Sequence, residues 1–317
     1  MTRLVRRAVT AVALGLLGAR SVRAQDSGTD RAAIVLALPA STPSLGVGGA
    51  DVAAVRDEWS LFVSPAQLAR VRGVSAGAAT QGYLASTVLS AAALAVPVGR
   101  GVVGIGATLL DYGSIDEIAT TVPGADGSAT GQRYSAQENA VVVGYGLPIG
   151  AVRIGIVAEF AHTRVADLSA SAVAGSAGVA WTNANGWDFS AVVQHVGGDV
   201  ALGATTGRLP MTTSGGVAAP TWSHGSFSLR PMASFVSVRG DGASLTIGGE
   251  ATLAAGTGRA LTMRAGWSGR DEESDRWPLS AGFGATLGAI TVDYAMERFP
   301  GIGQVTHRVG LHWARAR

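Results

Sequence analysis

The chain contains no cysteine, so disulfide bonds, thiolate metal sites and cysteine nucleophiles are excluded. No stretch reaches about 18 apolar residues without a polar interruption, which argues against helical membrane spans. The signatures of phosphate-binding loops, zinc-binding helices, calcium-binding loops and serine-hydrolase elbows are also missing. From these absences we expect neither a cofactor nor enzymatic activity.

Residues 1–24 have the pattern of a secretory signal peptide. Arg3, Arg6 and Arg7 precede an apolar run from Ala8 to Ala19, and a small-residue cleavage site ends at Ala24. Removal of this segment lowers the basic residues from 24 to 19, against 22 acidic residues, because it holds five arginines and no acid. The mature net charge is then near −3, so no nucleic-acid partner is expected.

From about residue 73 to the C-terminus, apolar residues occur at every second position of short segments. In one such segment Ile290, Val292, Tyr294 and Met296 share a face. A period of two is typical of extended strands and not of helices. Strands are predicted near residues 73–81, 86–97, 102–112, 136–147, 151–163, 172–182, 187–196, 209–219, 226–237, 243–254, 260–268, 277–287, 290–298 and 304–314.

The connections between these strands alternate in length. Residues 97–100, 148–150 and 288–289 form tight joints, whereas the joint over residues 113–135 is long. Short turns on one rim and long loops on the other are typical of bacterial outer-membrane barrels, which have an even strand number. The 45 glycines suit the bends of a barrel wall. We predict an all-β protein, a transmembrane antiparallel β-barrel of about 14 strands, in the outer membrane of a Gram-negative-type bacterium.

Three parts of the chain are distinguished: the signal peptide (1–24), an N-terminal periplasmic or plug segment (25–72) and the barrel (73–317). Within the plug segment, Pro43 to Ala50 has the composition of a turn-rich loop. Ser64 before Pro65 predicts a helix N-cap and a short helix near residues 65–69.

The two faces of the predicted wall differ in chemistry. A charge on the lipid face costs roughly 2–4 kcal/mol at mid-bilayer, so the apolar face is assigned to lipid. This face includes Val152, Ile154, Ile156, Phe160, Leu261, Met263, Trp267, Leu279, Ala281, Phe283 and Leu287. The opposite face carries a candidate polar network of the lumen, in which four arginines meet four carboxylates. Its members are Arg153, Glu159, Arg230, Glu250, Arg264, Asp293, Glu297 and Arg308.

Tryptophans lie near the ends of the predicted strands, where the headgroup belts of membrane proteins are found. The tryptophans at such positions are Trp181, Trp187, Trp222, Trp267, Trp277 and Trp313. We predict that they form these belts.

Several segments, taken in order, resemble outer-membrane proteins of the PorV/PorQ type, which are relatives of FadL-like transporters. These segments are Gly46 to Ala50, Trp59 to Ala69, Gly106 to Gly113, Ser169 to Ala174, Val292 to Ala295, and Gly303 with Thr306 to Leu311. The resemblance covers nearly the whole mature chain. It implies a 14-strand barrel with an N-terminal segment tucked into its periplasmic end.

The resemblance makes Gly48, Gly49, Ser64 and Pro65 the candidate plug residues. Two positions depart from the family pattern, because Ser64 and His195 stand where family members usually carry asparagine. The first departure bears on how the plug is anchored. The second bears on a hydrogen bond in the lumen or at its rim.

Metal ligands are sparse in this sequence. His162 and His312 could meet across the wall, but scattered histidines are poor evidence for a metal site. A predicted external loop carries Asp271, Glu272, Glu273 and Asp275. A solvated loop is the default interpretation of this cluster, and a weak calcium site is the alternative.

Three functions remain open from the sequence. The PorV/PorQ resemblance implies export or surface attachment of proteins, as in type IX secretion, with secretion-machinery or exported proteins as partners. The alternative is FadL-like transport of hydrophobic small molecules, with the N-terminal segment as a plug. The third is a general porin, which the balanced charges of a filled lumen disfavour. In each case outer-membrane lipid and lipopolysaccharide surround the barrel.

Overall fold

The computed structural model of the protein describes residues 31–84, 87–119, 128–269 and 277–314. The predicted signal peptide and the acidic cluster at 271–275 lie outside these residues. The helices within the described residues are α1 (Thr42–Gly46), α2 (Ser60–Val63) and 3₁₀ helices at Ile34–Leu36, Pro65–Arg70 and Pro300–Ile302. The strands are β1 (Ser75–Gly82), β2 (Val88–Val98), β3 (Gly101–Ala119), β4 (Ser128–Ile149), β5 (Val152–Val165), β6 (Leu168–Thr182), β7 (Asp188–Gly197), β8 (Val200–Leu202), β9 (Thr205–Gly207), β10 (Thr212–Ala218), β11 (Trp222–His224), β12 (Phe227–Val238), β13 (Gly242–Ala254), β14 (Arg259–Gly269), β15 (Leu279–Leu287), β16 (Ile290–Phe299) and β17 (Gln304–Ala314).

Fourteen of these strands form one closed antiparallel barrel, which confirms the predicted fold and strand number. Successive strands pair from β1 to β7 and from β12 to β17. Strand β10 pairs with both β7 and β12, and β1 pairs with β17, so the sheet closes on itself. Strands β8 and β9 form a separate hairpin, and β11 adds a short edge to β12.

The two rims of the barrel differ in part as the connections predict, because the rim with the long loops also carries tight turns at residues 166–167 and 239–241. Tight turns at residues 99–100, 150–151 and 288–289 lie on one rim, here called the short-turn rim. The first and last barrel strands also meet there, with Ser75 opposite Ala314. The opposite rim, here called the long-loop rim, carries the connection over residues 198–211 that contains the β8–β9 hairpin.

The predicted long joint at residues 113–135 is wrong in part, because the flanking strands continue through it. Ser114 pairs with Ser135, and Asp116 pairs with Arg133, whose Nε lies 2.8 Å from the carboxylate. A bulge at Gly113, which has φ of +73°, lets the ladder resume after an interruption. Within the described residues, the polar composition therefore belongs to a paired extension of β3 and β4, and residues 120–127 lie outside the described chain.

The outer surface of the wall is apolar, and its side chains project away from the protein. Met263 is 73% exposed and Leu287 is 67% exposed, which is unusual for such residues in a globular protein. Of the predicted lipid-facing residues, those that are exposed include Ile154, Ile156, Phe160, Leu261, Trp267, Leu279 and Phe283. The exposed tryptophans near strand ends are Trp187, Trp222, Trp267, Trp277 and Trp313. No helix of the described chain is long and apolar enough to cross a bilayer.

Residues 31–74, here called the plug, occupy the inside of the barrel. The plug starts at the long-loop rim, where Ala32 N donates to Arg208 O at 3.0 Å. It reaches the short-turn rim at the Pro65–Arg70 helix, which packs against β3 to β6. The chain thus passes along the whole lumen, whereas the PorV/PorQ resemblance implies a segment confined to the periplasmic end.

The short helix expected after Ser64 is present as the 3₁₀ helix Pro65–Arg70, but its predicted capping contact is absent. The Ser64 side chain makes no hydrogen bond to the helix backbone. Its Oγ instead lies 2.8 Å from Ser190 Oγ on β7. A tertiary contact replaces the cap, because the buried Ser64 hydroxyl forms its hydrogen bond with the wall and not with a helix end that begins with proline.

Candidate functional site

Glycines of the wall make room for the plug backbone. An added Cβ at Gly155 would lie 2.2 Å from the carbonyl carbon of Pro65, and one at Gly266 would lie 2.2 Å from that of Val47. Real Cβ atoms do not approach backbone so closely, so these positions require glycine. The lumen surface is therefore shaped to this particular plug path.

The candidate plug residues Gly48 and Gly49 lie in a tight turn after α1. Their φ angles are +68° and +79°, values that side chains rarely adopt. The turn brings Asp51 back to Ser44, whose hydroxyl donates to the Asp51 carboxylate at 2.5 Å. The adjacent Ala50 carbonyl accepts a hydrogen bond of 2.7 Å from Ser234 of the wall.

Amide side chains tie the rest of the plug in place. Gln67 Nε2 donates to Ala53 O at 2.7 Å within the plug, and Gln194 Nε2 of β7 donates to Phe62 O at 2.7 Å. Both glutamines are buried. Because a buried carbonyl without a donor costs free energy, the Gln194 contact favours the docked plug over a displaced one, whereas the Gln67 contact holds the plug's own shape.

Part of the predicted lumen network is an ionic triad. Arg264 on β14 donates from Nε to Glu250 at 2.7 Å and from Nη1 to Asp293 at 2.6 Å. Glu250 is on the neighbouring strand β13, and Asp293 is on β16, which is two strands away from β14. All three side chains point to the inner face of the barrel. One guanidinium group thus bridges two carboxylates of the wall.

Arg153 and Arg230 do not meet the predicted carboxylates but a residue that the sequence analysis missed, Asp188. Arg230 Nη2 lies 2.8 Å from the Asp188 carboxylate, and Arg153 Nη2 lies 3.6 Å from it. Two plug residues, Arg56 and Arg70, approach the same carboxylate at 3.0 Å and 2.6 Å. Asp188 lies in the predicted strand 187–196 and is in phase with the inward Ser190 and Gln194, so the alternation of that strand could have revealed it.

Glu159 has no arginine partner and accepts hydrogen bonds from the Ser176 hydroxyl and the His195 ring. The ring Nδ1 of His195 lies 2.7 Å from the carboxylate. His195 has φ of +57° at a bulge between β6 and β7, and both Gln194 and His195 are therefore buried on the inside. His195, which stands where the family pattern has asparagine, thus brings an imidazole into contact with a carboxylate of the lumen.

The two remaining residues of the predicted network lie apart from the triad. Arg308 is buried on β17, where its Nε donates to Gln81 at 3.0 Å and its Nη1 donates to the plug carbonyl of Pro39. Glu297 is buried on β16 and lines a cavity in the upper lumen. The eight residues thus share the inner face but are divided among separate clusters.

The structure separates the histidines for which a shared metal site was considered. His162 contacts Ser171 at 2.9 Å, and His312 contacts Glu58 of the plug at 2.8 Å. Within the described ranges, no group of three or more His, Asp or Glu side chains could hold a metal ion. The acidic cluster at 271–275 remains a prediction.

Two cavities lie between the plug and the wall in the part of the chain that the structure describes. The upper cavity, toward the long-loop rim, has a volume of about 210 Å³, and the lower one has about 380 Å³. Mainly apolar side chains of the plug and wall line the upper cavity, among them Leu36, Leu38, Val52, Phe62, Val142 and Trp277. The lower cavity is lined by Arg56, Asp57, Arg230, Glu250, Arg264 and His312 among others. Asp51 borders both cavities.

The buried carboxyl of Asp51 makes plug docking depend on pH. Burial raises the pKa of Asp51 from 3.8 to about 6, despite the hydrogen bond from Ser44 that lowers it. The docked plug therefore binds this proton more tightly than a released plug does. The resulting stabilisation is complete below pH 3.8 and is lost as the pH rises through about 6.

We expect the urea concentration that releases the plug to decrease as the pH is raised from 4 to 7. The loss of docking stability that comes from Asp51 is at most on the order of 3 kcal/mol. Asp51→Asn should remove a large part of this dependence. Asp57, whose pKa burial raises to about 7, contributes with the same sign and remains in the variant. Proteolysis of the released plug in urea measures the effect, with the exposed Asp241→Asn as control. Equal pH slopes for wild type and Asp51→Asn would contradict the assignment.

Solved structures share this architecture. The toluene transporter TbuX of Ralstonia pickettii aligns with a TM-score of 0.58 and 12% identity, over 88% of this chain and 99% of that one. The toluene transporter TodX of Pseudomonas putida aligns with a TM-score of 0.62 and 9% identity, over 88% and 99%. A FadL homologue of Pseudomonas aeruginosa aligns with a TM-score of 0.55 and 10% identity, over 86% and 98%.

At these identities the comparisons establish the fold alone, which is a closed 14-strand antiparallel barrel with short helices near its N-terminus. No protein-family model and no curated protein matches the chain.

Proposed function

We propose that this barrel lies in an outer membrane and passes small hydrophobic molecules through its plugged lumen. The observation that carries the proposal is the apolar upper cavity, which lies between plug and wall inside a barrel whose exterior is also apolar. The fold shared with toluene transporters supports the same function. A hydrophobic solute gains free energy in such a cavity because apolar surface leaves water.

The size of the upper cavity favours compact solutes. A cavity of about 150 Å³ in another protein holds benzene, so about 210 Å³ accommodates one substituted ring. An extended fatty acyl chain would need more space than this resting cavity offers. The substrates proposed here are accordingly monoaromatic or similarly compact molecules.

The charges around the upper cavity favour solutes that are not anions. The described lining residues include the carboxylates Asp51, Glu159 and Glu297 and one imidazole, that of His195, which contacts Glu159, but neither arginine nor lysine. An incoming carboxylate would meet like charges and would lose its hydration without a cationic partner. Neutral solutes are not repelled by the carboxylates and have no charge to dehydrate, so we propose that they are preferred.

The plug is the proposed gate. Asp51 borders both cavities, and it belongs to the turn that follows Gly48 and Gly49. A shift of this turn would join the apolar upper cavity to the polar lower one. The wall contacts of Ala50 and Phe62 would then have to break and re-form during each passage.

The proposal is tested by uptake of labelled toluene into intact cells of a Gram-negative host that lacks barrels of this fold. Expression of the protein should accelerate toluene uptake several-fold and leave benzoate uptake unchanged. Ser214→Phe, which fills the upper cavity from β10, should remove the gain. Ala281→Phe on the exposed outer face is the matched control and should retain it.

Heat-modifiable gel mobility verifies that both variants form barrels, so loss of uptake in Ser214→Phe cannot be attributed to misfolding. Toluene uptake that does not respond to wild-type protein would contradict the proposal. Equal acceleration of toluene and benzoate would contradict the preference for neutral solutes.

A further inference from the structure

Four guanidinium groups surround a single carboxylate near the short-turn rim. Arg56 and Arg70 reach it from the plug, Arg153 and Arg230 reach it from the wall, and all contact Asp188 within 3.6 Å. The Asp188 side chain is buried, whereas the Arg56 side chain is 47% exposed. The cluster therefore combines a buried centre with access from solvent.

The hydrogen-bonding capacity of Asp188 is too small for these donors. A carboxylate offers about four lone-pair sites, and one is taken by the Thr182 hydroxyl at 2.5 Å. Each guanidinium carries five N–H groups. Arg153 Nε and Nη2 are buried and have no hydrogen-bond partner, although Arg153 Nη1 donates to Thr182.

The other carboxylates near the cluster are engaged by other donors. The charge of Glu250 acts on both Arg56 and Arg230, but Glu250 accepts its hydrogen bond from Arg264. Asp57 accepts from the Trp59 backbone. Uncompensated buried charge is strongly unfavourable, so an additional anion would stabilise this arrangement.

We propose that the arginine cluster is a binding site for a small oxyanion, such as a phosphate or carboxylate group, at the lower end of the lumen. Arg56 and Arg230 line the lower cavity beside the hydroxyls of Thr221 and Ser228, which supplies a place for it. Arg56 is on the plug and Arg230 is on the wall, so the bound anion joins the two. The basic residues of this chain are all arginine, whose planar fork binds oxyanions through paired hydrogen bonds.

This inference is independent of the transported solute and concerns the stability of plug docking. Hydrogen exchange of the peptide containing residues 65–71 is measured in detergent at constant pH and ionic strength, with phosphate, acetate or chloride as the anion. Bound anion should slow exchange by about tenfold at ten times its dissociation constant. Protection by phosphate alone identifies a phosphate site, and protection by acetate as well identifies a general oxyanion site.

Arg56→Gln should abolish the anion-dependent protection while the barrel retains heat-modifiable mobility. Arg259→Gln is the matched control, because Arg259 is exposed near the same rim on β14 and lies outside the cluster. Arg56→Lys should keep only part of the effect, since an ammonium group lacks the paired donors. Equal exchange in phosphate, acetate and chloride for the wild-type protein, or equal protection in Arg56→Gln, would overturn the proposal.

Discussion

Replacement of Gly155 by valine is expected to displace the Pro65–Arg70 helix from the wall and to open the lumen. The Cβ alone would lie 2.2 Å from Pro65 C and 2.3 Å from Pro65 O, and backbone cannot yield as a flexible side chain does. Overpacking typically costs about 1–3 kcal/mol, and a branched side chain against backbone falls at the upper end. Valine is itself favourable in a strand, so the barrel should still form.

Hydrogen exchange of the plug measures this effect. Amides of the Pro65–Arg70 region should exchange at least about tenfold faster in Gly155→Val, since about 1.4 kcal/mol corresponds to a factor of ten. Gly178→Ala is the matched control. Gly178 is the cross-strand partner of Gly155 and faces Ala66, but its Cβ would lie at an ordinary 3.6 Å from Ala66 N. Equal exchange in the two variants would contradict the claim that the Pro65–Arg70 helix packs against the wall only because residue 155 is glycine.

Asp188→Asn is expected to destabilise the docked plug by about 3–5 kcal/mol, because removal of one member of a buried ionic cluster leaves the others uncompensated. Asparagine preserves the shape of the side chain and removes only its charge. Four arginines would then repel one another across the boundary between plug and wall. The measurement is urea-dependent release of the plug in buffer without phosphate.

The control for this prediction is Asp241→Asn at the opposite rim. Asp241 pairs with Arg31 of the plug at 3.2 Å, but the two side chains are 50% and 35% exposed. An exposed pair of this kind contributes about 0–1 kcal/mol. A loss in Asp188→Asn no larger than in Asp241→Asn would show that the arginine cluster does not hold the plug.

The barrel could be predicted from the sequence because its wall obeys a single rule. Residues such as Ile290, Val292 and Met296 point outward, and Asp293 and Glu297 point inward, at a period of two. The positions of the strands and the sidedness of the wall follow from that rule, whereas the rims were assigned from the lengths of the connections. The polar extension of β3 and β4 was missed because strands beyond the bilayer need not be apolar on either face.

The partners inside the lumen could not be predicted in the same way. Each strand reveals which residues point inward, but register and the path of the plug decide which of them meet. Arg153 was therefore placed in the lumen without its true neighbour, Asp188. The positions of Arg56 and Arg70 depend on how the plug docks. The only features of the sequence that point to this docking are the plug glycines and the Ser64–Pro65 pair.

The measurement that tests the central claim most directly is ion conductance across planar bilayers. A lumen filled by its plug should give no steady conductance in concentrated KCl for the wild-type protein. Gly155→Val from an identical preparation should give frequent channel openings, which verifies that the protein inserts. Stable porin-like conductance of the wild-type protein would contradict the account and would favour a general porin.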